Sequence, residues 1–125
     1  VYEGGWVNGR REGKGKMTYA DGAVYEGEYV ADDKEGQGSY SYKNGDWYVG
    51  GFKSGMRGGA GTMRFADGRV IVTSYDAGQP MGLGVGWSHD GERAWRLEDG
   101  KGKEEISLEE AQDIAEEVLG APVTL

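Results

Sequence analysis

Residues 25–29 read YEGEY, and two near copies stand elsewhere in the chain, YEGGW at 2–6 and YVGGF at 48–52. Each copy starts 23 residues after the last, and a fourth unit opens at the same interval. The four units start at Tyr2, Tyr25, Tyr48 and Ile71. Glycines recur at fixed offsets in the units, at positions 13, 36, 59 and 82, then 15, 38, 61 and 84, then 22, 45, 68 and 91. A constant period without insertions predicts four stacked copies of one structural unit over residues 1–91.

Each unit has the pattern of a β-hairpin. Its first strand holds Tyr-x-Gly-x-aromatic, and its second strand follows the paired glycines, as in GKGKMTY, GQGSYSY and GAGTMRF. An Asp-Gly or Asn-Gly pair then turns the chain into the next unit, and such pairs favour tight hairpin turns because they tolerate positive φ. These pairs are Asp21-Gly22, Asn44-Gly45, Asp67-Gly68 and Asp90-Gly91. The sequence therefore predicts a single-layer antiparallel meander, a solenoid of stacked hairpins.

Strand side chains alternate between faces, so position within the unit decides which residues lie together. One face is predicted to be aromatic and rich in glycine, while the other carries Glu, Lys, Ser and Gln. The aromatic row packs within the chain, or it also forms a groove for a helix or an extended segment of a partner, because Tyr and Trp are common interface anchors. The predicted groove residues are Tyr2, Trp6, Tyr19, Tyr25, Tyr29, Tyr42, Tyr48, Phe52 and Phe65.

The alternation reverses in the fourth unit. Gly86 and Ser88 stand where aromatic residues are expected, and the normally polar positions are apolar. An apolar segment should therefore cover the opposite face there. The predicted docking positions on the fourth unit are Val72, Leu83, Val85 and Trp87.

The end of the chain supplies such a segment. One degenerate strand and a turn are predicted over 92–103, followed by an acidic amphipathic capping helix and tail over 104–125. Ser107 and Glu110 form a capping box, and Gly120 suits the C-terminal cap, which places the helix at about 108–119. Its apolar stripe, with Leu108, Ile114 and Val118, is expected to pack on the fourth unit or on the edge of the last hairpin, because an open sheet end invites aggregation.

Composition restricts the function. The 125 residues include no cysteine, no apolar run long enough to span a membrane and no signal-peptide pattern, which fits an intracellular protein, cytoplasmic or organellar, soluble or peripheral. The net charge of −8 argues against nucleic acid and disfavours acidic lipid, although Arg10, Arg11, Lys14 and Lys16 could form a small basic patch. Residues 92–125 carry 10 acidic and 4 basic side chains, which suggests a solvated face or a contact for a basic partner.

No motif indicates catalysis or a cofactor. Ser88, His89 and Asp90 are adjacent in a strand-to-turn segment and cannot converge as a triad requires, and a single histidine cannot build a histidine-based metal cluster. Asp32, Asp33 and Glu35 lack the spacing of a calcium loop and are predicted to be solvated. The sequence predicts no enzyme activity, no metal and no cofactor.

The repeated YEGxW or YEGEY, the paired glycines and the Asp-Gly turn at a period of 23 resemble the MORN repeat (membrane occupation and recognition nexus). The resemblance covers residues 1 to about 91, with Ile71 in place of tyrosine in the fourth unit. It implies a non-catalytic protein-interaction or scaffolding module, such as a structural subunit of a larger assembly that binds through the aromatic groove or the acidic helix. Two alternatives are peripheral binding to acidic phospholipids and a regulatory segment of a longer enzyme. Because Val1 aligns with Val24 inside a unit, the first repeat is expected to be truncated upstream.

Overall fold

A computed structural model describes residues 1–122, which form ten β-strands followed by one α-helix. The strands are β1 (Tyr2–Val7), β2 (Arg10–Thr18), β3 (Val24–Val30), β4 (Asp33–Ser41), β5 (Trp47–Lys53), β6 (Met56–Arg64), β7 (Val70–Asp76), β8 (Gln79–Trp87), β9 (Ala94–Glu98) and β10 (Lys101–Ile106), and the helix is α1 (Leu108–Leu119). The strands form a single sheet in sequence order, and each pairs antiparallel with its neighbours in the chain. The predicted meander of hairpins is confirmed.

Two kinds of turn alternate along the sheet. The turns between repeats contain the predicted Asp-Gly or Asn-Gly pairs, and their glycines have φ values from 74° at Gly91 to 101° at Gly68. The turns within repeats are two residues long with positive φ at both positions, which matches the right-handed twist of the strands they join. One of them, Ala31–Asp32, lacks glycine and has φ values of 47° and 74°.

Hydrogen bonds to the first repeat anchor this turn of the second repeat. Asp32 Oδ1 accepts hydrogen bonds from the Arg11 backbone N–H at 2.8 Å and from Arg11 Nε at 3.1 Å. These two donors hold the pKa of the Asp32 carboxyl below its usual value. Glu12 Oε1 accepts from the Ala31 N–H at 2.8 Å, and Glu35 repeats this contact with Ser54 one unit later. Asp32 and Glu35 are therefore links between hairpins, and the Asp32 side chain keeps 43% of its surface in solvent, as predicted.

Strand register places the aromatic row on one face. Residues directly opposite one another run across the sheet from Tyr2 to Met17, Tyr25, Tyr40, Tyr48, Met63, Ile71, Gly86 and Trp95. We call this side the aromatic face. The opposite side, called the helix face, holds Val72, Val85 and Ala94 in a second core with α1.

The segment before the helix differs from the prediction. Residues 92–103 were expected to hold one degenerate strand and a turn, whereas β9 and β10 form a fifth hairpin that extends to Ile106. The loop between Trp87 and Ala94 is one residue longer than the corresponding earlier loops, so Trp95 occupies the opening aromatic position of this hairpin. A fixed period of 23 residues misses this shift.

Helix α1 begins and ends at the predicted caps. Ser107 Oγ accepts from the Glu110 N–H at 3.0 Å, and Gly120 closes the helix with φ of 70°. The helix lies over β6 to β9, and Ala111 and Ala115 are fully buried. Its cluster includes Val72, Val85, Trp87, Ile114 and Val118 from the predicted docking face, and it adds Ala94 and Ile106 of the fifth hairpin.

Two of the predicted docking residues lie outside that cluster. Leu83 is exposed because it lies two residues along β8 from Val85, beyond the stretch of strand that contributes to the cluster. Leu108, the first residue of α1, is also exposed and lines a small cavity with Val70 and Gln112.

Candidate functional site

The aromatic face is built on tyrosines that lie over glycines. The Tyr48 ring covers Gly61, where an added Cβ would lie 2.5 Å from the ring carbon Cε1, and Tyr25 covers Gly38 in the same way. Each opening tyrosine donates its hydroxyl to the carbonyl three residues on, at 2.9 Å for Tyr2, 2.8 Å for Tyr25 and 2.9 Å for Tyr48. The glycine pairs therefore exist because a ring needs the space that a side chain would fill.

The rings of successive repeats form a continuous edge-to-face row. Tyr25 contacts Tyr29 and Phe52 with centroid distances of 5.2 and 5.0 Å, and Tyr48 contacts Phe52 at 5.3 Å, all near perpendicular. Such contacts contribute on the order of 1 kcal/mol each beyond the burial of apolar area. Tyr25, Tyr29, Tyr48 and Phe52 are buried by this packing. These four predicted groove residues therefore form a core in the isolated chain and do not line an open groove.

The other five predicted groove residues keep part of their surface in solvent. Trp6 is exposed beside Tyr2, and Tyr2, Tyr19, Tyr42 and Phe65 are half-buried around the core. The structure thus separates the predicted set into a buried row and a partly accessible margin.

Cations between the rings were not anticipated from the sequence. Arg11 lies over Tyr29 at 5.0 Å, Arg57 over Tyr75 at 4.8 Å, and Lys34 lies 5.5 to 5.7 Å from Tyr19, Tyr25 and Tyr40. These three cations are themselves spaced by 23 residues, which is the signal that could have identified them. Each attracts the negative faces of the rings and covers one side of the aromatic core.

Burial changes the ionisation of the tyrosines. Burial, followed by neighbouring tyrosines, raises the pKa of Tyr29 to about 12 and raises the pKa values of Tyr25 and Tyr48 above their usual value. The Tyr29 hydroxyl is buried and has no hydrogen-bond partner within the described residues. Neutral rings are therefore a condition of the folded aromatic core.

Alkaline unfolding should follow from these pKa values. The folded chain retains the phenolic protons more tightly than the unfolded chain, whose tyrosines ionise near 10.0. This contribution to stability is complete below pH 10 and is lost as the pH rises through the folded-state pKa values. We expect the urea midpoint to fall steeply above pH 10, and the tyrosinate absorbance of the buried rings to appear only at higher pH, together with the loss of the fold. A single phase at the ordinary tyrosine pKa, with the fold intact, would contradict this.

An open cleft of about 670 Å³ lies on the aromatic face at the end of the row, over β7 to β10. Ile71, Gly86 and Ser88 line it together with Trp95 and Leu97. In the first three repeats the position of Gly86 is Met17, Tyr40 or Met63, and that of Ser88 is Tyr19, Tyr42 or Phe65. The cleft therefore lies where the fourth repeat lacks the large side chains that fill the same space elsewhere.

One wall of the cleft, formed by Trp95 and Glu105, is fixed by an ion pair. Arg93 binds Glu105 through two hydrogen bonds of 2.7 and 3.0 Å and lies 5.0 Å over the Trp95 ring. A second pair, Arg96 with Glu104 at 2.8 Å, lies on the helix face, where Arg96 is opposite Val85. The mutual bonding lowers the pKa of Glu105 and raises that of Arg93. Trp95 is thus held on one side of the cleft by a planar bidentate pair.

Local structure accounts for the Ser88, His89 and Asp90 segment and for the possible basic patch of the first repeat. Ser88 Oγ donates to Asp90 Oδ1 at 2.6 Å and accepts from the Arg93 N–H at 3.0 Å, so these side chains shape the turn before β9. In the possible basic patch, Lys14 and Lys16 lie directly opposite Glu28 and Glu26, and Arg11 bonds Asp32. Three of the four basic side chains of the possible patch, Arg11, Lys14 and Lys16, therefore lie beside acidic side chains.

The comparison with known families fits this architecture. The sequence model of the MORN repeat matches residues 2–24, 25–47 and 48–68, more than half of the chain. The chain belongs to the MORN repeat family. The matched MORN repeats coincide with the three hairpins that carry the tyrosine row, whereas the cleft lies mainly over the hairpins beyond them. No curated protein sequence matches the chain.

MORN repeats are generally interaction or membrane-associated modules, and MORN repeat proteins are typically non-catalytic. Among residues 1–122, no helix is both long and apolar enough to cross a bilayer. In the same part of the chain, no group of three or more His, Asp or Glu side chains is arranged to hold a metal ion.

Proposed function

We infer that this MORN protein is a non-catalytic protein-interaction module whose cleft over β7 to β10 receives apolar side chains of a partner protein. The observation that carries the proposal is the loss of large residues at Gly86 and Ser88, which opens the cleft beside Trp95. A half-buried tryptophan held by Arg93 is a suitable anchor, because aromatic residues in preformed hollows dominate binding energy at protein interfaces. The volume falls within the range of well-formed binding sites, about 300–1,000 Å³.

The partly exposed rings of the earlier repeats extend this surface. Tyr42 and Phe65 lie at the positions that Ser88 occupies in the fourth repeat, so the cleft continues the margin of the aromatic row. Side chains of a segment bound in the cleft would fill the space that large side chains fill in the first three repeats. This supports a partner with apolar or aromatic residues over one that is uniformly charged.

The proposal is tested by selecting displayed random peptides on the intact chain and then measuring them against Gly86→Met. Methionine restores the residue found at this position in repeats one and three, and a Cβ there has no neighbour closer than 3.6 Å. We expect the selected peptides to carry apolar anchors and to bind the filled variant at least about tenfold more weakly. Val30→Met, at an exposed site on the helix face, serves as the control and should retain binding. Selected peptides that bind both variants equally would overturn the proposal.

A further inference from the structure

The helix face is only partly covered by α1, which lies over β6 to β9. Beside it, on β5, Trp47 is 43% and Val49 is 38% exposed. Both point to the helix face, since their direct partners across the sheet are Arg64 and Thr62. Thr62 in turn lies opposite Val72, which is fully buried in the α1 cluster. The exposed pair is therefore continuous with the surface on which α1 rests.

The third repeat presents, one repeat earlier, the positions that support α1 in the fourth repeat. The positions that support α1 include Val72, Val85 and Trp87, and one repeat earlier these are Val49, Thr62 and Arg64. One repeat before Val49, the equivalent position is Glu26. Of the three equivalent positions, the third repeat is apolar at Val49, where the second repeat has a glutamate.

The spacing of the third and fourth repeats fits a pair of helices. One repeat moves the position by two strands, or about 9.6 Å at 4.8 Å per strand. Packed helices lie about 8–10 Å apart. A helix on the third repeat would therefore touch both the sheet and the side of α1.

Charge indicates the kind of helix. At 100° per residue, Glu109 and Glu116 border the buried stripe of α1 on one side, and Glu110 and Glu117 border it on the other. With Asp113, α1 has five carboxylates and no basic residue. No ion pair within the described residues includes any of these carboxylates. On β5 and β6 the same face contributes only Lys53 and Arg64 as charged side chains, and Arg64 lies over the Trp47 ring at 5.4 Å. Whichever side of α1 adjoins β5, two of these glutamates lie there, so the side of α1 that a neighbouring helix would meet is negative.

We propose that the helix face over β5 and β6 docks an amphipathic α-helix of a partner protein, with its apolar stripe on Trp47 and Val49 and its lysines or arginines toward α1. The partner helix extends the layer that α1 begins and covers the apolar surface that the chain leaves in solvent. This surface lies on the opposite side of the sheet from the cleft, so the two sites are independent.

The test uses a designed helical peptide of about 18 residues, or five turns, with a leucine stripe and lysine flanks, labelled for fluorescence anisotropy. A second peptide of the same stripe carries glutamate flanks. We expect the lysine peptide to bind the full chain. The double substitution Trp47→Gln/Val49→Gln should weaken its binding at least about tenfold, and Glu116→Gln/Glu117→Gln should weaken its binding several-fold. The glutamate peptide should bind at least about tenfold more weakly than the lysine peptide.

The matched control is Val7→Gln/Val30→Gln, which removes two exposed valines from the same face at a distance from α1. It should leave the affinity within about twofold, and circular dichroism should show all variants folded. Absence of binding by the lysine peptide overturns the proposal. The proposal is also overturned if the lysine peptide binds Trp47→Gln/Val49→Gln as tightly as the parent chain, because the peptide would then lie elsewhere. Equal affinity of the glutamate and lysine peptides for the parent chain would overturn it as well.

Discussion

Replacing Gly61 by alanine should destabilise the chain by about 3 kcal/mol, because overpacking a well-packed core forces rings off their rotamers and shifts backbone. The new Cβ would lie 2.5 Å from Tyr48 Cε1 and 2.6 Å from Cζ. Tyr48 cannot move aside, since it is fully buried between Phe52 and Tyr75 and bonds the Gly51 carbonyl. Urea unfolding followed by circular dichroism measures the change as a lower midpoint.

Gly86→Ala is the matched control for this effect. Both glycines are strand residues on the aromatic face with ordinary backbone φ, but a Cβ at Gly86 meets nothing closer than 3.6 Å. Alanine there should leave stability unchanged or raise it by about 0.5 kcal/mol, because it restricts the unfolded chain. Equal losses for Gly61→Ala and Gly86→Ala would show that glycine is required for backbone reasons and not for the tyrosine ring.

The second large effect is expected for Ala115→Asp at the contact of α1 with the sheet. Ala115 is fully buried in the cluster with Val72 and Val85, so the variant either buries an unpaired carboxylate or detaches the helix. Leaving such a charge unpaired in a core costs about 3 kcal/mol or more. We expect a lower urea midpoint and rapid hydrogen exchange throughout α1, while amides of β3 to β5 remain protected.

Leu108→Asp makes the same change in charge on the same helix. Leu108 is exposed in the first turn, where a carboxylate is favourable to the helix dipole. Its stability should stay within about 0.5 kcal/mol of the parent chain, as for most surface substitutions. If both aspartates were tolerated, the packing of α1 on the fourth repeat would contribute little to stability. If Leu108→Asp were as damaging as Ala115→Asp, net charge and not burial would be the cause.

Much of the fold could be predicted because its determinants repeat. The spacing from Tyr2 to Tyr25 to Tyr48 fixes the unit, and alternation along each strand fixes the aromatic face. The helix bounds followed from Ser107 and Gly120, because caps satisfy backbone groups locally and need no tertiary information. These features depend on neighbours within a few residues or within one period.

The site was predictable only in part. Alternation places Tyr25 and Tyr48 on one face, but it does not reveal that their rings close on Phe52 and leave little surface. The cleft depends on Trp95, which the extra loop residue shifts out of the period, and on the hairpin partner β10. Side-chain packing of this kind depends on three-dimensional distances that a one-dimensional pattern does not contain.

Every strand pairs with the strand that precedes or follows it in the chain, from β1 through β10. Pairings of short sequence separation close small loops, and small loops lose less chain entropy before contacts form. Such a sheet can grow one hairpin at a time, in the order in which the residues leave the ribosome. The first hairpins contact only their neighbours in the chain, so β1 to β5 should fold during translation, whereas the core over β6 to β9 is completed only when α1 has been synthesised.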